Sequence, residues 1–428
     1  MLFRPASRLV LALLFIDLLA VGIGCSSNEH SELPFKIEHT YGVSDLEFNR
    51  TMANLLGPPL VGGNRVTTLV NGDQIFPPML EAIRNAESTV NLETYVYWSG
   101  AIGHAFSEAL SERAISGVQV RVIIDTIGSS NLNQSDVKEM TDAGVHLVKY
   151  HPLRWYDFGG SSKSSNRTHR KLLIVDGWLA FTGGVGISDD WLGNADSLKH
   201  WRDNHYMVEG PAVSQLQAAF VETWMGTTGE VLHGDTYFPE LPNVGEQWAQ
   251  VFNSSSRGGS QSMELMYILS ITAAEKNIRL ASAYFVPDKL TLEALVDARK
   301  RGVKVQIIVP GETIDIAIVR NASRARWGDL LRAGVEIYEY QPTMYHTKAM
   351  VVDDAWVSIG SANLDNLSFQ LNEETNLNLL DHDFAMKQVG IFEDDLSHSR
   401  QITYEMWQKR SASEKFFQVI TSPFGWLM

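Results

Sequence analysis

A repeated eight-residue motif constrains this chain more than any other feature. The motif has a histidine, a lysine two residues later and an aspartate seven residues after the histidine, with four apolar residues between lysine and aspartate. It occurs at His169, Lys171 and Asp176 and again at His346, Lys348 and Asp353. Two complete copies predict one active site assembled from two similar halves of the chain.

The chemistry of the motif follows from its spacing. The apolar run predicts a buried strand, in which side chains alternate between the two faces. Histidine and lysine, two residues apart, therefore point the same way. A neutral imidazole can attack phosphorus, and an ammonium group can neutralise the phosphate oxygens. Asp176 and Asp353 lie at an odd offset from their histidines, so within the catalytic motif we predict a structural role for them.

A run of small residues follows the aspartate of each motif at the same spacing. The run is Gly183-Gly184-Val185-Gly186 in the first half and Gly360-Ser361-Ala362-Asn363 in the second. Small residues let the backbone approach an anion closely. Ser361 and Asn363 also carry side-chain donors, so we predict that they bind the substrate phosphate.

An acidic residue follows each motif histidine by about thirty residues. Asp203 and Glu374 occupy these matching positions. A carboxylate can hold one imidazole nitrogen and leave the other directed at the substrate. The spacing therefore predicts that these two acids orient the imidazoles. An ordinary surface salt bridge is the alternative for both acids.

These residues resemble the sequence pattern of the phospholipase D superfamily and, within it, of bacterial cardiolipin synthases. The resemblance runs from about residue 67 to residue 407. Apart from the two motifs, the matching segments include Glu93-Thr94-Tyr95, Gly117-Val118, Trp201-Arg202-Asp203, Tyr284-Phe285-Val286-Pro287 and Leu371-Asn372-Glu373-Glu374. Two positions depart from the family pattern: Gly186 replaces a usual Asn, and Leu367 replaces a usual Arg.

The resemblance implies phosphatidyl transfer through a phosphohistidine, with no metal or other cofactor. His169 would be the nucleophile and His346 the general acid, although the symmetry of the motifs leaves the roles exchangeable. The expected reaction joins two phosphatidylglycerol molecules into cardiolipin and releases glycerol. Alternatives are hydrolysis to phosphatidic acid, a nuclease and an inactive lipid-binding protein.

The chain is organised as an internal duplication. Helical patterns at 79–85 and 105–116 alternate with strand patterns at 90–97 and 118–125, which predicts an α/β fold. We expect two similar phospholipase D-like halves, each a mixed sheet covered by helices, packed as a pseudo-dimer. The predicted boundaries are a signal or anchor at 1–24, a tether at 25–48, the first half at 49–231, a linker at 232–257, the second half at 258–410 and a tail at 411–428.

Composition and net charge indicate which classes of partner this chain can bind. The 428 residues are 44% hydrophobic, enough for a full core, and carry a net charge of −15. A strongly acidic chain is not expected to bind nucleic acid, because proteins bind nucleic acid through basic surfaces. An anionic lipid stays compatible, because local lysines can oppose the overall charge. We expect a phospholipid substrate and a membrane surface as partners; the sequence does not indicate an oligomeric state.

The N-terminus predicts a location in the bacterial cell envelope. Arg4 and Arg8 precede an apolar run that ends at Cys25, the only cysteine in the chain. The run is short for a membrane span and has the order of a secretory signal. The residues around Cys25 resemble the lipidation site of bacterial lipoproteins, and an uncleaved anchor is the alternative. In both cases the enzyme would face away from the cytoplasm.

Two apolar segments lie outside the duplicated pattern. An insertion at 154–160 contains Trp155, Tyr156 and Phe158 next to Arg154, and could dip into a lipid surface or pack as an ordinary loop. The C-terminal tail has a similar aromatic content, and a final element that covers the core is the expectation for it.

Overall fold

The computed structural model describes residues 37–151, 166–254, 262–411 and 415. The predicted signal segment, Cys25, the aromatic insertion at 154–160 and the tail beyond residue 415 lie outside the described residues. No helix in the described ranges has the length and apolar character needed to cross a membrane.

The first half contains seven strands, most of them short and apolar. The strands are β1 (Val61–Val70), β2 (Thr89–Thr94), β3 (Gln119–Asp125), β4 (His146–Tyr150), β5 (Leu172–Val175), β6 (Leu179–Gly183) and β7 (Asn204–Glu209). The helices that accompany them are α1 (Leu46–Leu55), α2 (Asn71–Arg84), α3 (Ala101–Ile115), α4 (Gln134–Asp142) and α5 (Ala212–Thr228).

The second half repeats this order. Its strands are β8 (Gln247–Ser254), β9 (Asn277–Ala281), β10 (Lys304–Pro310), β11 (Glu336–Tyr340), β12 (Ala349–Val352), β13 (Trp356–Gly360), β14 (Glu374–Leu380) and β15 (Ser399–Ile402). Its helices are α6 (Ser262–Thr272), α7 (Lys289–Lys300), α8 (Ala317–Ala333), α9 (His382–Ser397) and α10 (Tyr404–Gln408).

All of these strands join in one mixed sheet with internal symmetry. The order is β15-β11-β10-β9-β12-β13-β14-β8-β1-β7-β6-β5-β2-β3-β4. From the centre outward, β8-β14-β13-β12-β9-β10-β11 repeats β1-β7-β6-β5-β2-β3-β4. The halves meet where β1 pairs with β8, at Val61 opposite Ala249 and Asn64 opposite Gln247. The fold is therefore α/β, with two similar halves arranged as a pseudo-dimer.

Helices cover both faces of the sheet. Helices α2 and α3 bury one face of the first half, and α6, α7 and α8 bury the matching face of the second. The other face carries a core shared by both halves, in which Phe220 and Trp224 of α5 lie in the same cluster as Phe384 and Val389 of α9. This shared core fixes the two halves against each other and so fixes the site between them.

The repeated glycines act at helix ends. Gly117 follows α3 with φ of 94°, and Gly302 follows α7 with φ of 98°. This left-handed backbone is strained for residues with a Cβ atom, so glycine allows the chain to turn directly from helix into strand.

Two predicted boundaries differ from the structure. The predicted tether, 25–48, includes residues that pack into the core of the second half: Val43 and Phe48 are buried, and the Phe48 ring lies 5.0 Å from that of Trp356. Residues 232–257, predicted as linker, contain β8, the counterpart of β1. This strand pairs with β14 from Trp248 to Ser254. Alternating apolar positions in so short a strand were hidden by the surrounding Gly, Pro, Asn and Ser.

Candidate active site between the two halves

The motif histidines lie where the halves contact each other. His169 precedes β5 and His346 precedes β12, so both enter the sheet from the same end. The His169 amide donates to the Glu373 carbonyl over 2.8 Å, and the His346 amide donates to the Arg202 carbonyl over 2.7 Å. Each histidine segment is thus bound to the segment that carries the carboxylate of the other half.

Consequently, the histidine–carboxylate pairs cross between the halves. His169 Nδ1 lies 2.9 Å from both carboxylate oxygens of Glu374, and His346 Nδ1 lies 2.7 Å from Asp203 Oδ2. Each of the two acids therefore contacts the histidine of the other half. Sequence spacing could not reveal this, because the crossing depends on how two similar sheets meet. Donation from Nδ1–H leaves Nε2 of His169 available to the substrate, whereas Nε2 of His346 lies 3.1 Å from Lys348 Nζ.

Burial sets the charge state of these groups. Burial, followed by the neighbouring Lys348, lowers the pKa of His346 to about 3. Burial also lowers the pKa of His169, against the attraction of Glu374. Burial would raise the pKa of both carboxyl groups, but their histidines hold the pKa of Asp203 and of Glu374 below the usual range. These shifts pair neutral imidazoles with carboxylates.

The two lysines are held close to their histidines. Lys171 Nζ donates to the His169 carbonyl, and Lys348 Nζ donates to the His346 carbonyl, each over 2.6 Å. Burial lowers the pKa of Lys171 to about 7 and that of Lys348 to about 8. A phosphodiester between the lysines would favour their charged forms, so the site gains positive charge where the phosphate binds.

Ser361 and Asn363 differ in what they contact. Ser361 Oγ donates to Glu374 Oε2 over 2.5 Å and accepts from the Thr375 amide over 3.0 Å. Its hydroxyl hydrogen therefore points to the carboxylate, and phosphate binding by Ser361 stays a prediction. Asn363 is buried and its Oδ1 accepts from the Tyr284 amide over 3.3 Å, so phosphate binding by its amide nitrogen stays a prediction.

Asp176 and Asp353 lie at the far end of their strands. Asp176 accepts the amides of residues 87, 88 and 89, and Asp353 accepts those of residues 275, 276 and 277, all over 2.7–2.9 Å. Both have φ of 53° in the left-handed region. They bind the turn before β2 and before β9, and the structure does not bring them to the histidines.

This geometry predicts that Asp176→Ala mainly affects stability. Three amides lose their acceptor, so we expect a loss of about 1–3 kcal/mol in the free energy of unfolding, with activity per folded molecule nearly unchanged. Chemical denaturation and an activity titration would measure both. Asp142→Ala is the matched control, because its salt bridge with Lys138 is exposed. A large loss of kcat with unchanged stability would contradict the structural role.

Several functional neighbours were missed by the sequence reasoning. Ser368 Oγ donates to Glu374 Oε1 over 2.8 Å, and Trp191 Nε1 donates to Asp203 Oδ2 over 3.1 Å. The Tyr95 ring lies 5.2 Å from that of His169, and the Trp201 ring lies 5.5 Å from that of His346. Tyr95 and Trp201 stand within segments that carry the resemblance, which was the available signal for them.

Charged residues behind the site bind the halves together. Arg170, which is fully buried, donates to Glu373 over 3.3 Å and to the Ser254 carbonyl over 3.0 Å. On the other side of the interface, Arg202 makes a two-fold contact with Asp395 at 2.7 and 2.8 Å. Each arginine is adjacent in sequence to a catalytic-site residue and points to the opposite face of the sheet. These contacts keep the histidine segments in place.

In the described ranges, one group of side chains has metal-ligand spacing. It consists of His104, Asp136 and Glu139 on or beside α3 and α4. The crossed histidines contact none of these three residues in the structure, so we assign the group no part in the reaction.

The duplicated sheet and the two crossed histidines define a phospholipase D-like enzyme that acts on phosphodiesters. The model of the family described as "Cardiolipin synthase, PLD-like domain" matches residues 79–224 and 267–396. The chain belongs to this family, whose cardiolipin synthases are phosphatidyltransferases.

Named relatives extend the match over most of the chain. Cardiolipin synthase 2 of Bacillus anthracis is 33% identical over 386 residues, which are 90% of this chain and 72% of that protein. A cardiolipin synthase of Alkalihalophilus pseudofirmus is 34% identical over 383 residues, 89% of this chain and 73% of that protein. Among solved structures, the phosphatidylserine synthase of Haemophilus influenzae has the same fold, with a TM-score of 0.63 and 13% identity, covering 88% of this chain and 96% of that one.

Proposed function

We propose that this protein joins two phosphatidylglycerol molecules into cardiolipin and glycerol through a phosphohistidine. The observation that carries the proposal is the pair of carboxylate-held imidazoles from opposite halves, with a lysine beside each. Opposed imidazoles suit a displacement at phosphorus, in which one group attacks and the other protonates the leaving oxygen.

The reaction has two balanced steps. Nε2 of one neutral histidine bonds to phosphorus while the bond to the glycerol oxygen breaks. That oxygen takes a proton from Nε2 of the other histidine, which enters the step as the imidazolium because the anionic phosphodiester favours its charged form. In the second step, the other histidine removes the proton from a hydroxyl group of a second phosphatidylglycerol, whose oxygen then displaces the phosphohistidine. Both histidines return to their initial state, and we assign the nucleophile to His169 on the family resemblance.

Water is the competing acceptor. Hydrolysis of the phosphoenzyme would give phosphatidic acid, so the outcome depends on how well the site excludes water. Tyr95 at His169 and Trp191 with Trp201 at His346 form apolar walls around the imidazoles, which supports transfer to a lipid hydroxyl.

The function is tested with labelled phosphatidylglycerol vesicles and lipid separation. Cardiolipin with an equal amount of glycerol is the expected result, and EDTA should leave the rate unchanged. Phosphatidic acid as the sole lipid product would establish a hydrolase instead. No reaction, with lipid still bound, would establish a lipid-binding protein.

We further propose that the enzyme is attached to the membrane of the bacterial cell envelope with its catalytic halves outside the cytoplasm. The Arg-then-apolar order of the N-terminal segment and the lipidation-like sequence at Cys25 support this location. The partner is a phospholipid surface, and the net charge of −15 argues against nucleic acid. A single acyl chain would bind weakly, so further apolar contacts would be needed.

Replacing Cys25 by serine tests the anchor. We expect Cys25→Ser to abolish lipid labelling and leave an uncleaved precursor, while activity on detergent-dispersed lipid survives because the site lies far along the chain. Gel mobility, acyl labelling and mass spectrometry of the N-terminus would measure this. An intact Met1 in mature wild-type protein would favour an uncleaved anchor over a lipoprotein.

A further inference from the structure

The two carboxylates that hold the imidazoles are supported by chemically different side chains. Glu374 accepts hydrogen bonds from two hydroxyl groups, those of Ser361 and Ser368. Asp203 accepts the indole N–H of Trp191 on Oδ2, the same oxygen that receives His346 Nδ1–H, and the Asn204 amide on Oδ1. The halves are similar in fold but not in how they hold their carboxylates.

The duplication shows which residue replaces which. Trp191 lies eight residues after Gly183, and Ser368 lies eight residues after Gly360, so Trp191 occupies the position of Ser368. Gly184 occupies the position of Ser361, and a Cβ atom added there would lie 2.4 Å from Asp203 Oδ1. The first half therefore has no room for the second hydroxyl and relies on the indole.

The Trp191 ring also packs against the imidazole itself. It is buried, with its ring 5.3 Å from that of His346 at 76° and 4.6 Å from that of Trp201. A Cβ atom at Gly186 would lie 3.3 Å from Trp191 Cζ3 and 2.8 Å from Val96 Cβ. Glycine replaces the usual Asn at position 186, where the indole and Val96 leave no room for a larger side chain.

We propose that Trp191 is a positioning residue for His346: its N–H fixes the Asp203 carboxylate, and its ring fixes the imidazole plane. The inference rests on the proposed function, in which the two histidines perform opposite proton transfers. It goes further by predicting that the two halves can be perturbed separately.

Asp203 Oδ2 accepts from both Trp191 and His346, so loss of the indole N–H should change the pKa of His346. Without the indole N–H, Asp203 Oδ2 has only the imidazole as a donor, so it stabilises the imidazolium form more strongly and the pKa of His346 rises. The other titratable groups around His346 stay in place in the variant. They are Asp203, Lys348, Lys171 and Tyr284, the last bonded to Asp315.

Trp191→Phe is the decisive variant, because it keeps an aromatic ring beside the imidazole and removes the donor. Glycerol release from phosphatidylglycerol counts transfer and hydrolysis together, so its pH profile can be read whichever acceptor is used. The wild-type profile should be bell-shaped, since one histidine must be neutral and the other protonated. We expect Trp191→Phe to lower kcat roughly ten-fold with little change in KM, and to move one limb upward by about half a pH unit.

Ser368→Ala is the matched variant in the other half. It removes a donor from Glu374, so it should raise the pKa of His169 and move the opposite limb. Trp178→Phe, at a turn where the side chain is 48% exposed, controls for loss of a tryptophan and should change neither limb. The inference is overturned if Trp191→Phe leaves both limbs in place, or if both variants move the same limb.

A second readout separates this inference from the proposed function. Histidine ring signals in ¹³C-labelled protein, assigned with His169→Ala and His346→Ala, report each pKa without turnover. Trp191→Phe should raise the pKa of His346 and leave that of His169 unchanged. If the wild type releases glycerol without forming cardiolipin, or does not turn over at all, the transferase proposal fails, and this titration still decides the role of Trp191.

Discussion

His169→Ala and His346→Ala are each expected to reduce turnover by at least roughly 10⁴-fold, because nucleophile and general acid come from opposite halves of one site. Loss of the nucleophile removes the covalent step, and loss of the acid leaves an alkoxide leaving group. The carboxylate that loses its imidazole keeps two other donors, Ser361 and Ser368 at Glu374 or Trp191 and the Asn204 amide at Asp203, so neither variant should unfold. Thermal melting alongside the steady-state assay would check both points.

Trapping the phosphoenzyme would show which histidine is the nucleophile and which is the general acid, a choice that the sequence leaves open. After a rapid acid quench with phosphorus-labelled substrate, we expect label on a single histidine, His169 by the resemblance. The variant that lacks the nucleophile should carry no label, whereas the variant that lacks the acid should still form some phosphoenzyme. Full turnover with label on neither histidine would reject the covalent mechanism.

The sequence predicted those parts of the fold that can be recognised within a single helix, strand or turn. The alternation of helices and strands and the duplication required only periodicity, and the glycines after α3 and α7 required only a turn from helix to strand. The pattern missed β8, because its role as the counterpart of β1 becomes visible only when both halves are in place. It also missed the packing of Val43 and Phe48, since these apolar residues lie between polar neighbours and bury themselves in a distant half.

The sequence predicted which residues form the site but not which of them contact each other. The histidines, lysines and both carboxylates converge, because residue type and spacing carry that information. Which carboxylate meets which histidine depends on the interface between halves. The hydrogen bonds from Ser368 and Trp191 to the carboxylates could not be predicted either. A serine and a tryptophan share no sequence pattern, and only the structure shows that both donate to equivalent carboxylates.

The crossed pairs give the second large prediction. Asp203→Asn and Glu374→Gln should each lower kcat by a factor of roughly 10²–10³. An amide can donate to Nδ1, which would place the imidazole proton on Nε2 and remove the lone pair needed for attack. It also withdraws the negative charge that stabilises the imidazolium. Steady-state kinetics, with folding checked by thermal melting, would measure the loss.

A substrate with an activated leaving group shows which histidine each carboxylate serves. A p-nitrophenyl phosphodiester needs little protonation of its leaving group, so the general acid and its carboxylate should become nearly dispensable for the first step. With His169 as nucleophile, the burst of p-nitrophenol should survive in His346→Ala and Asp203→Asn and be lost in His169→Ala and Glu374→Gln. Pairing within each half would instead group Asp203→Asn with His169→Ala, and that result would contradict the crossed geometry, in which the carboxylate of one half controls the chemistry of the other.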